Sequence, residues 1–161
     1  MKNISITQKQ KEILILLYRY RGLTNEHLRK ILYHHLHSNP KGQKANVSRL
    51  TKNLRENKYI YTASCFPHSK DYIHYLTKKA VNYLRKELEI NINDPLTGFH
   101  NIVGDFEATI LKPSIGKHHL MLVDFLSDYS HIKFRNNLYA AQKYETKKLR
   151  PDAEILIQNK I

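Results

Sequence analysis

The sequence predicts an α+β protein in two parts, a helix-rich first part over residues 1–90 and a small α/β part over residues 99–161. Three observations carry that prediction. Apolar residues recur at helical spacing from Ile13 to Leu54 and again from Ala80 to Leu88. Between those runs the period changes. Residues 59–64 (YIYTAS) and 71–76 (DYIHYL) are rich in aromatic and β-branched side chains, the composition of strands. Residues 91–98 (NINDPLTG) then collect turn formers around a proline directly after a helical stretch, which marks a linker.

Each element has its own signal. Thr7 caps a first helix running to about Arg21, with Ile13, Leu16, Leu17 and Tyr20 on one face. Gly22 stands where a left-handed C-cap belongs. Thr24 or Asn25 caps a short second helix that turns Leu28, Ile31 and Leu32 inward. Residues 34–42 read as a loop, marked by Asn39-Pro40 and Lys41-Gly42. A third helix covers about Gln43 to Asn57, with Val47, Leu50 and Leu54 inward. Phe66 to Lys70 turns between the two strands. Thr77 caps a fourth helix, Lys78 to about Glu89, which buries Ala80, Val81, Leu84 and Leu88. In the second part, Lys117 to about Tyr129 has a helical pattern with Leu120, Val123 and either Leu126 or Phe125 inward. Tyr139–Lys147 and Asp152–Gln158 read as strands.

Composition narrows the function classes. The chain has 161 residues, 41% apolar and 25% charged, which suits a globular protein. No run of about 18 apolar residues exists, so a membrane-spanning helix is excluded. The polar stretch Met1–Lys11 lacks a signal core, and Cys65 stands alone, with no disulfide partner and no cysteine set for zinc. A cytoplasmic location is expected. The formal net charge is +13, and it is unevenly shared. Residues 1–90 hold 18 Lys+Arg against 6 Asp+Glu, a net of +12, whereas residues 91–161 hold 9 against 8, a net of +1. A polyanionic partner is therefore expected at the first part.

Three helices followed by a hairpin is the layout of a winged helix-turn-helix, in which the third helix enters the major groove of DNA. At ~100° per residue, the face opposite Val47, Leu50 and Leu54 holds Ala45, Ser48, Arg49 and Lys52, flanked by Lys44, Asn46, Asn53 and Arg55. Small residues allow close approach. Arg and Asn offer the bidentate pairings that read guanine and adenine, and Lys44, Lys52 and Arg55 suit phosphates. His68 and Lys70 at the hairpin tip suit an adjacent backbone or minor groove. The expected DNA-binding set is Lys44, Asn46, Ser48, Arg49, Lys52, Arg55, His68 and Lys70.

The segments LTNEHL (23–28), VSRL (47–50), Leu54, Tyr59-Ile60 and YLTKKA (75–80) resemble winged-helix regulators in general. The second part is similar to a narrower group, the replication-relaxation family of plasmids and mobile elements of Gram-positive bacteria. The resemblance lies in HHLMLVD (118–124), similar to that family's His-x-Leu helix, and in LRPDA (149–153), similar to its Arg-Pro-Asp-Ala strand. The family pattern continues into a further acidic strand segment. This chain ends at Ile161 without it, so the resemblance implies a truncated or degenerate nuclease-like second part. What it implies for function is sequence-specific binding of double-stranded DNA in replication control or transcription regulation.

Competing readings rest on fewer residues. Pro151-Asp152 resembles the first acid of a metal-dependent nuclease core, with Asp152 and Glu154 on one strand face, but Gln158-Asn159-Lys160 offers Gln where a second acid is needed. An ion pair or turn made by Arg150 and Asp152 at the start of a strand explains the motif better. His34, His35, His37, His118 and His119 close no tetrahedral set by their spacing. Tyr59, Tyr61, Tyr72 and Tyr75 suit strand packing better than a stacking platform for single strands. A protein–protein adaptor in a replication or relaxation complex is a third class. No catalytic residue, metal, cofactor or small-molecule ligand is assigned. A homodimer is expected, because one recognition helix reads only a short half-site. Val81, Leu84 and Leu88, with Tyr83 off that stripe and Ile90 and Ile92 beyond, offer its apolar surface.

Overall fold

The computed structural model describes residues 5–20, 22–34, 36, 39–64, 72–87, 116–128, 133–136 and 153–156. It is a mixed helix and strand structure, with helices followed by a two-stranded antiparallel sheet. The expected linker at 91–98, the hairpin turn at Phe66–Lys70 and the expected strand at Tyr139–Lys147 lie outside the described residues.

Helix α1 spans Gln8–Tyr20. Thr7 caps it reciprocally with Gln10. The Thr7 N–H donates to Gln10 Oε1 at 2.9 Å, and the Gln10 N–H donates to Thr7 Oγ1 at 3.4 Å. Ile13, Leu17 and Tyr20 are buried as expected, but Leu16 is only half-buried, while Leu14 and Tyr18 are fully inside. The buried face is broader than one stripe because α1 meets helices α3 (Pro40–Glu56) and α4 (Lys78–Glu87) and a strand.

Gly22 is not a left-handed cap: its backbone lies outside that region. Its role is close approach. A Cβ there would fall 2.9 Å from Ile73 Cγ2 and 3.0 Å from Tyr75 Cε1. The neighbouring Leu23 bridges to the sheet, exchanging hydrogen bonds with His74 at 3.3 and 2.9 Å. A bare glycine lets the chain lie that near the strand.

Helix α2, Asn25–Leu32, is capped by Thr24, which accepts from the His27 N–H. His27 Nδ1 accepts in return from the Thr24 N–H at 3.3 Å, a capping box with histidine in the place of Glu or Gln. Leu28 and Ile31 are buried, and Leu32 is half-buried.

Helix α3 begins three residues before the expected Gln43, at Pro40. Asn39 adopts a left-handed backbone (φ 56°) as N-cap, and its Oδ1 accepts from the Gly42 N–H at 3.0 Å. Pro40 follows as the first helical residue, where a missing N–H costs nothing. The residues that signal a loop are here the start of a helix. Glycine at 42 is required by that cap, since a Cβ would fall 2.5 Å from Asn39 Nδ2.

The other end of α3 closes with Asn57 as C-cap and Lys58 at φ 59°. The Lys58 N–H donates to Arg55 O at 2.9 Å and the Tyr59 N–H to Leu54 O at 2.9 Å, the double bond pattern of a left-handed helix stop. A side chain in that conformation costs roughly 1–2 kcal/mol. Lys58→Gly should therefore raise unfolding stability by about 0.5 kcal/mol once glycine's own entropy loss is subtracted. A urea midpoint equal to or below that of the unmodified chain would contradict this.

Strands β1 (Ile60–Ser64) and β2 (Tyr72–Leu76) pair antiparallel with Ile60 opposite Leu76 and Ser64 opposite Tyr72. Tyr61 stacks on Tyr75 with ring centroids 5.1 Å apart, and Tyr59 meets Tyr83 edge-on at 5.7 Å. Tyr72 is exposed. Thr77 caps α4, its Oγ1 accepting from the Ala80 N–H. Ala80, Val81 and Leu84 are buried as expected; Leu88 lies outside the described residues.

One core joins these elements, built on Ile13, Leu17, Leu28, Val47, Leu54 and Ile60. Helix α5, Gly116–Asp128, adds to it from the second part. Val123 belongs to that core, and Leu120 packs on Ile73 and Tyr75 across the other side of β2. Phe125 is half-exposed, not inward. Strand β3 (Lys133–Asn136), which the sequence does not signal, pairs antiparallel with β4 (Ala153–Leu156), the central portion of the expected strand at 152–158.

Candidate nucleic-acid interface

Helix α3 is held by one buried side, made of Val47, Leu50, Thr51 and Leu54, and offers the rest of its circumference to solvent. Lys44, Ser48, Lys52 and Arg55 follow one another along that exposed surface, all open to solvent, with Lys41 ahead of them and Lys58 just beyond the helix. Among the described residues the face carries one carboxylate, Glu56, 3.9 Å from Lys52 with both side chains more than half exposed. Such a pair contributes little and leaves the field positive. Lys79 adds a cation at the C-terminal end. Its Nζ donates to Asn57 O at 3.0 Å and lies 4.2 Å above the Tyr59 ring.

Asn46, Arg49 and Asn53 form a second row beside the first, with Asn46 half-buried and the other two exposed. With Ser5, Thr7, Gln8, Lys9, Gln10 and Leu50 they line a groove of about 530 Å³ between the start of α1 and α3. Asn53 Oδ1 accepts from Gln10 Nε2 at 2.6 Å, which ties the two helices together. Asn46 is half-buried. It sits between Arg49, whose Nη2 donates to its Oδ1 at 3.0 Å, and Tyr33, whose hydroxyl lies 2.6 Å from its Nδ2. Of the eight expected contact residues, the structure thus brings six onto one helix, with five exposed and Asn46 partly enclosed. His68 and Lys70 lie outside the described residues.

A polar node fixes α3 relative to the sheet. Asn25 Oδ1, at the start of α2, lies 3.1 Å from Thr51 Oγ1 and 2.9 Å from His74 Nε2. The Thr62 hydroxyl lies 3.1 Å from His74 Nδ1. An amide oxygen only accepts, so His74 Nε2 carries the proton and Nδ1 accepts from Thr62. Four elements meet in this way: α2, α3, β1 and β2. Burial, and then the nearby positive charge of Arg55, push the His74 pKa down to about 4 from its ordinary 6.5, so the ring is neutral near pH 7.

Other charged groups near α3 are occupied. Arg29 is paired with Glu26, and that guanidinium holds the Glu26 carboxyl below the usual range. Arg29 Nη1 also donates to Gln43 Oε1 at 3.3 Å. The acids of α5 engage α2. Asp124 lies 2.8 Å from His27 Nε2, and Asp128 lies 2.9 Å from Lys30 Nζ. His27 Nδ1 already accepts from a backbone N–H, so Nε2 donates to Asp124.

The sequence reading missed Tyr33, Lys9, His27 and His74. The first two reach α3 from other helices. The histidines are polar residues inside, with no apolar periodicity to reveal them. His34 is exposed and bonded to its own helix at Ile31 O, and His35 and His37 lie outside the described residues. Among the described residues no group of three or more His, Cys, Asp or Glu gathers to hold a metal ion, and no helix is long and apolar enough to cross a membrane. Compared with known protein families, curated proteins and solved structures, the chain matches none.

Proposed function

We propose that this chain is a winged helix-turn-helix protein that binds double-stranded DNA sequence-specifically, with α3 as the helix that enters the major groove. One observation carries the reading: an exposed row of Lys44, Ser48, Lys52 and Arg55, beside one weakly paired carboxylate, on a helix anchored by its opposite side. Two features support it. The element order α1, α2, α3, β1, β2 is that of the motif, and Leu23 extends the hairpin as a third bridged segment. The net of +12 in residues 1–90 supplies the long-range attraction that phosphate binding uses. Lys44, Lys52 and Arg55 are the phosphate contacts, and Arg49 reads a base edge beside Ser48 and Asn46. His68 and Lys70 remain the proposed contacts of the hairpin tip.

The outlet, replication control or transcription regulation in a plasmid or mobile element of the replication-relaxation kind, rests on the motifs HHLMLVD and LRPDA. The nuclease alternative centres on Asp152, outside the described residues. Selection of bound duplexes from a random pool tests the central reading. A consensus should emerge, and Arg49→Ala should lose about 1–3 kcal/mol of binding with relaxed preference at one base pair. Unchanged affinity and consensus in Arg49→Ala would show that another side of the helix faces DNA. Specific retention of a protein with no retained duplex in about 0.15 M salt would favour the adaptor.

The proposal includes a two-fold dimer that sets two copies of α3 about 34 Å apart along one face of the duplex. Tyr83 packs on Tyr59 of its own chain, so the interface draws on the surface around α4 and on the near-neutral second part. Light scattering at low micromolar protein should give twice 19.1 kDa. A mass that stays at 19.1 kDa on concentration would exclude the dimer.

A further inference from the structure

We infer that Tyr33 is a specificity-determining residue that acts through Asn46 to aim Arg49 at a base. The inference rests on the DNA-binding reading above and deepens it.

The chemistry of the three groups fixes the direction of each hydrogen bond. A guanidinium only donates, so the Asn46 oxygen must face Arg49, as it does at 3.0 Å. The Asn46 amide group must then face Tyr33, and at 2.6 Å the phenol oxygen is its acceptor. No amide flip satisfies both neighbours, because a flipped Asn46 would turn its N–H groups toward the N–H groups of Arg49. Tyr33 is therefore the far anchor of a one-way relay in which Arg49 donates to Asn46 and Asn46 donates to Tyr33.

Tyr33 is itself well held. It is the C-cap of α2, its N–H donates to Arg29 O at 3.0 Å, and its ring packs against the main core. Lys9 Nζ lies 5.5 Å from the ring centroid, a contact from a third helix. Arg49, by contrast, is exposed, and an exposed arginine samples many rotamers when nothing restrains it. Bidentate recognition of a base needs the guanidinium plane in one orientation, and a pre-set orientation removes part of the ordering cost of binding. The relay supplies that orientation from the angle between α2 and α3. Among the described residues no salt bridge does this: the carboxylate on the exposed row, Glu56, is paired with Lys52.

The test uses the full chain and duplexes selected from a random pool. Four proteins are compared with the unmodified one: Arg49→Ala, Tyr33→Phe, Asn46→Ala and the Tyr33→Phe/Asn46→Ala pair. Arg49→Ala identifies the base pair that Arg49 reads, with discrimination there falling about 10- to 100-fold. Tyr33→Phe keeps the ring and removes only the acceptor. It should flatten the same base pair about 3- to 10-fold, leave preference elsewhere intact, and leave affinity for an unselected duplex unchanged. Asn46→Ala should flatten that base pair at least as far, and adding Tyr33→Phe to it should cost nothing more there, because Tyr33 acts only through Asn46. A purely structural role for Tyr33 would instead weaken all duplexes alike and lower the melting temperature. If Tyr33→Phe does not fold, Asn46→Ala at the half-buried middle of the relay is read in its place. Unchanged discrimination in Tyr33→Phe, or additive losses in the pair, would overturn the relay while the DNA-binding reading stands. Absence of any consensus for the unmodified protein would overturn both.

Discussion

Acidification from about pH 7.5 to about pH 4.5 is expected to remove on the order of 2–3 kcal/mol of folding stability through His74. In the folded chain His74 resists protonation down to about pH 4, because it is buried and faces the charge of Arg55. Unfolded, it takes up a proton near its ordinary value of 6.5. Between those two values the unfolded state binds more protons, so stability is complete above about pH 6.5 and falls with pH through that window. Protonation also changes the node: Nδ1 turns from acceptor to donor, the Thr62 hydroxyl must reverse to accept from it, and a positive ring is left buried near the charge of Arg55. Urea unfolding followed at several pH values checks this against His74→Gln, whose amide can donate to Asn25 and accept from Thr62 without titrating. The variant should show a flatter pH dependence across the window. The same slope in both proteins would mean that other groups carry the acid sensitivity.

His74 also marks the limit of what the sequence displays. Local signals were legible. Thr7, Thr24 and Thr77 each precede an apolar run at the right distance and each caps a helix. Val47, Leu50 and Leu54 show the buried side of α3 at 3- and 4-residue steps, and the exposed cations follow by subtraction. Non-local facts were not. Both faces of β2 are covered, one by the main core and one by Leu120 of α5, so strict alternation fails and a polar residue at position 74 is buried. Leu14 and Tyr18 are inside because α1 is surrounded by three elements rather than laid on one.

Turn residues misled for a related reason. Asn39, Pro40 and Gly42 are loop formers singly, yet together they build an N-cap with its first turn, because Pro40 lacks the N–H that position leaves unpaired and Gly42 leaves room for the Asn39 amide. Gly22 has the opposite history. Its place after α1 suggests a cap, whereas the constraint comes from Ile73 and Tyr75, some fifty residues further along the chain. For the proposed interface, a helical wheel offers Asn46 as a candidate base reader. It cannot reveal that Tyr33, the C-cap of α2, comes within 2.6 Å of it.

Replacing Lys44, Lys52 and Arg55 together by Gln is expected to weaken DNA binding about 100-fold at about 0.15 M salt while the consensus stays the same. Removing one phosphate-binding cation lowers the slope of log affinity against log salt by ~0.9, so removing three should lower it by ~2.7. Extrapolated from the 1 M reference, that slope corresponds to about two decades of affinity at 0.15 M. The fold should tolerate the change. All three side chains are exposed, and the ion pair that disappears, Lys52 with Glu56 at 3.9 Å between open side chains, contributes little. Arg55 adds an internal check: without its charge, the push on His74 eases and acid sensitivity falls slightly. Arg49 is untouched, so base preference should survive, and this separates the phosphate-binding side chains from the reader on the same helix. Titrations of a selected and a scrambled duplex at several salt concentrations decide the matter. Parallel salt dependence for the triple variant and the unmodified protein would place the phosphates on another surface. Loss of the consensus with an unchanged slope would exchange the two roles, making these side chains the readers of bases.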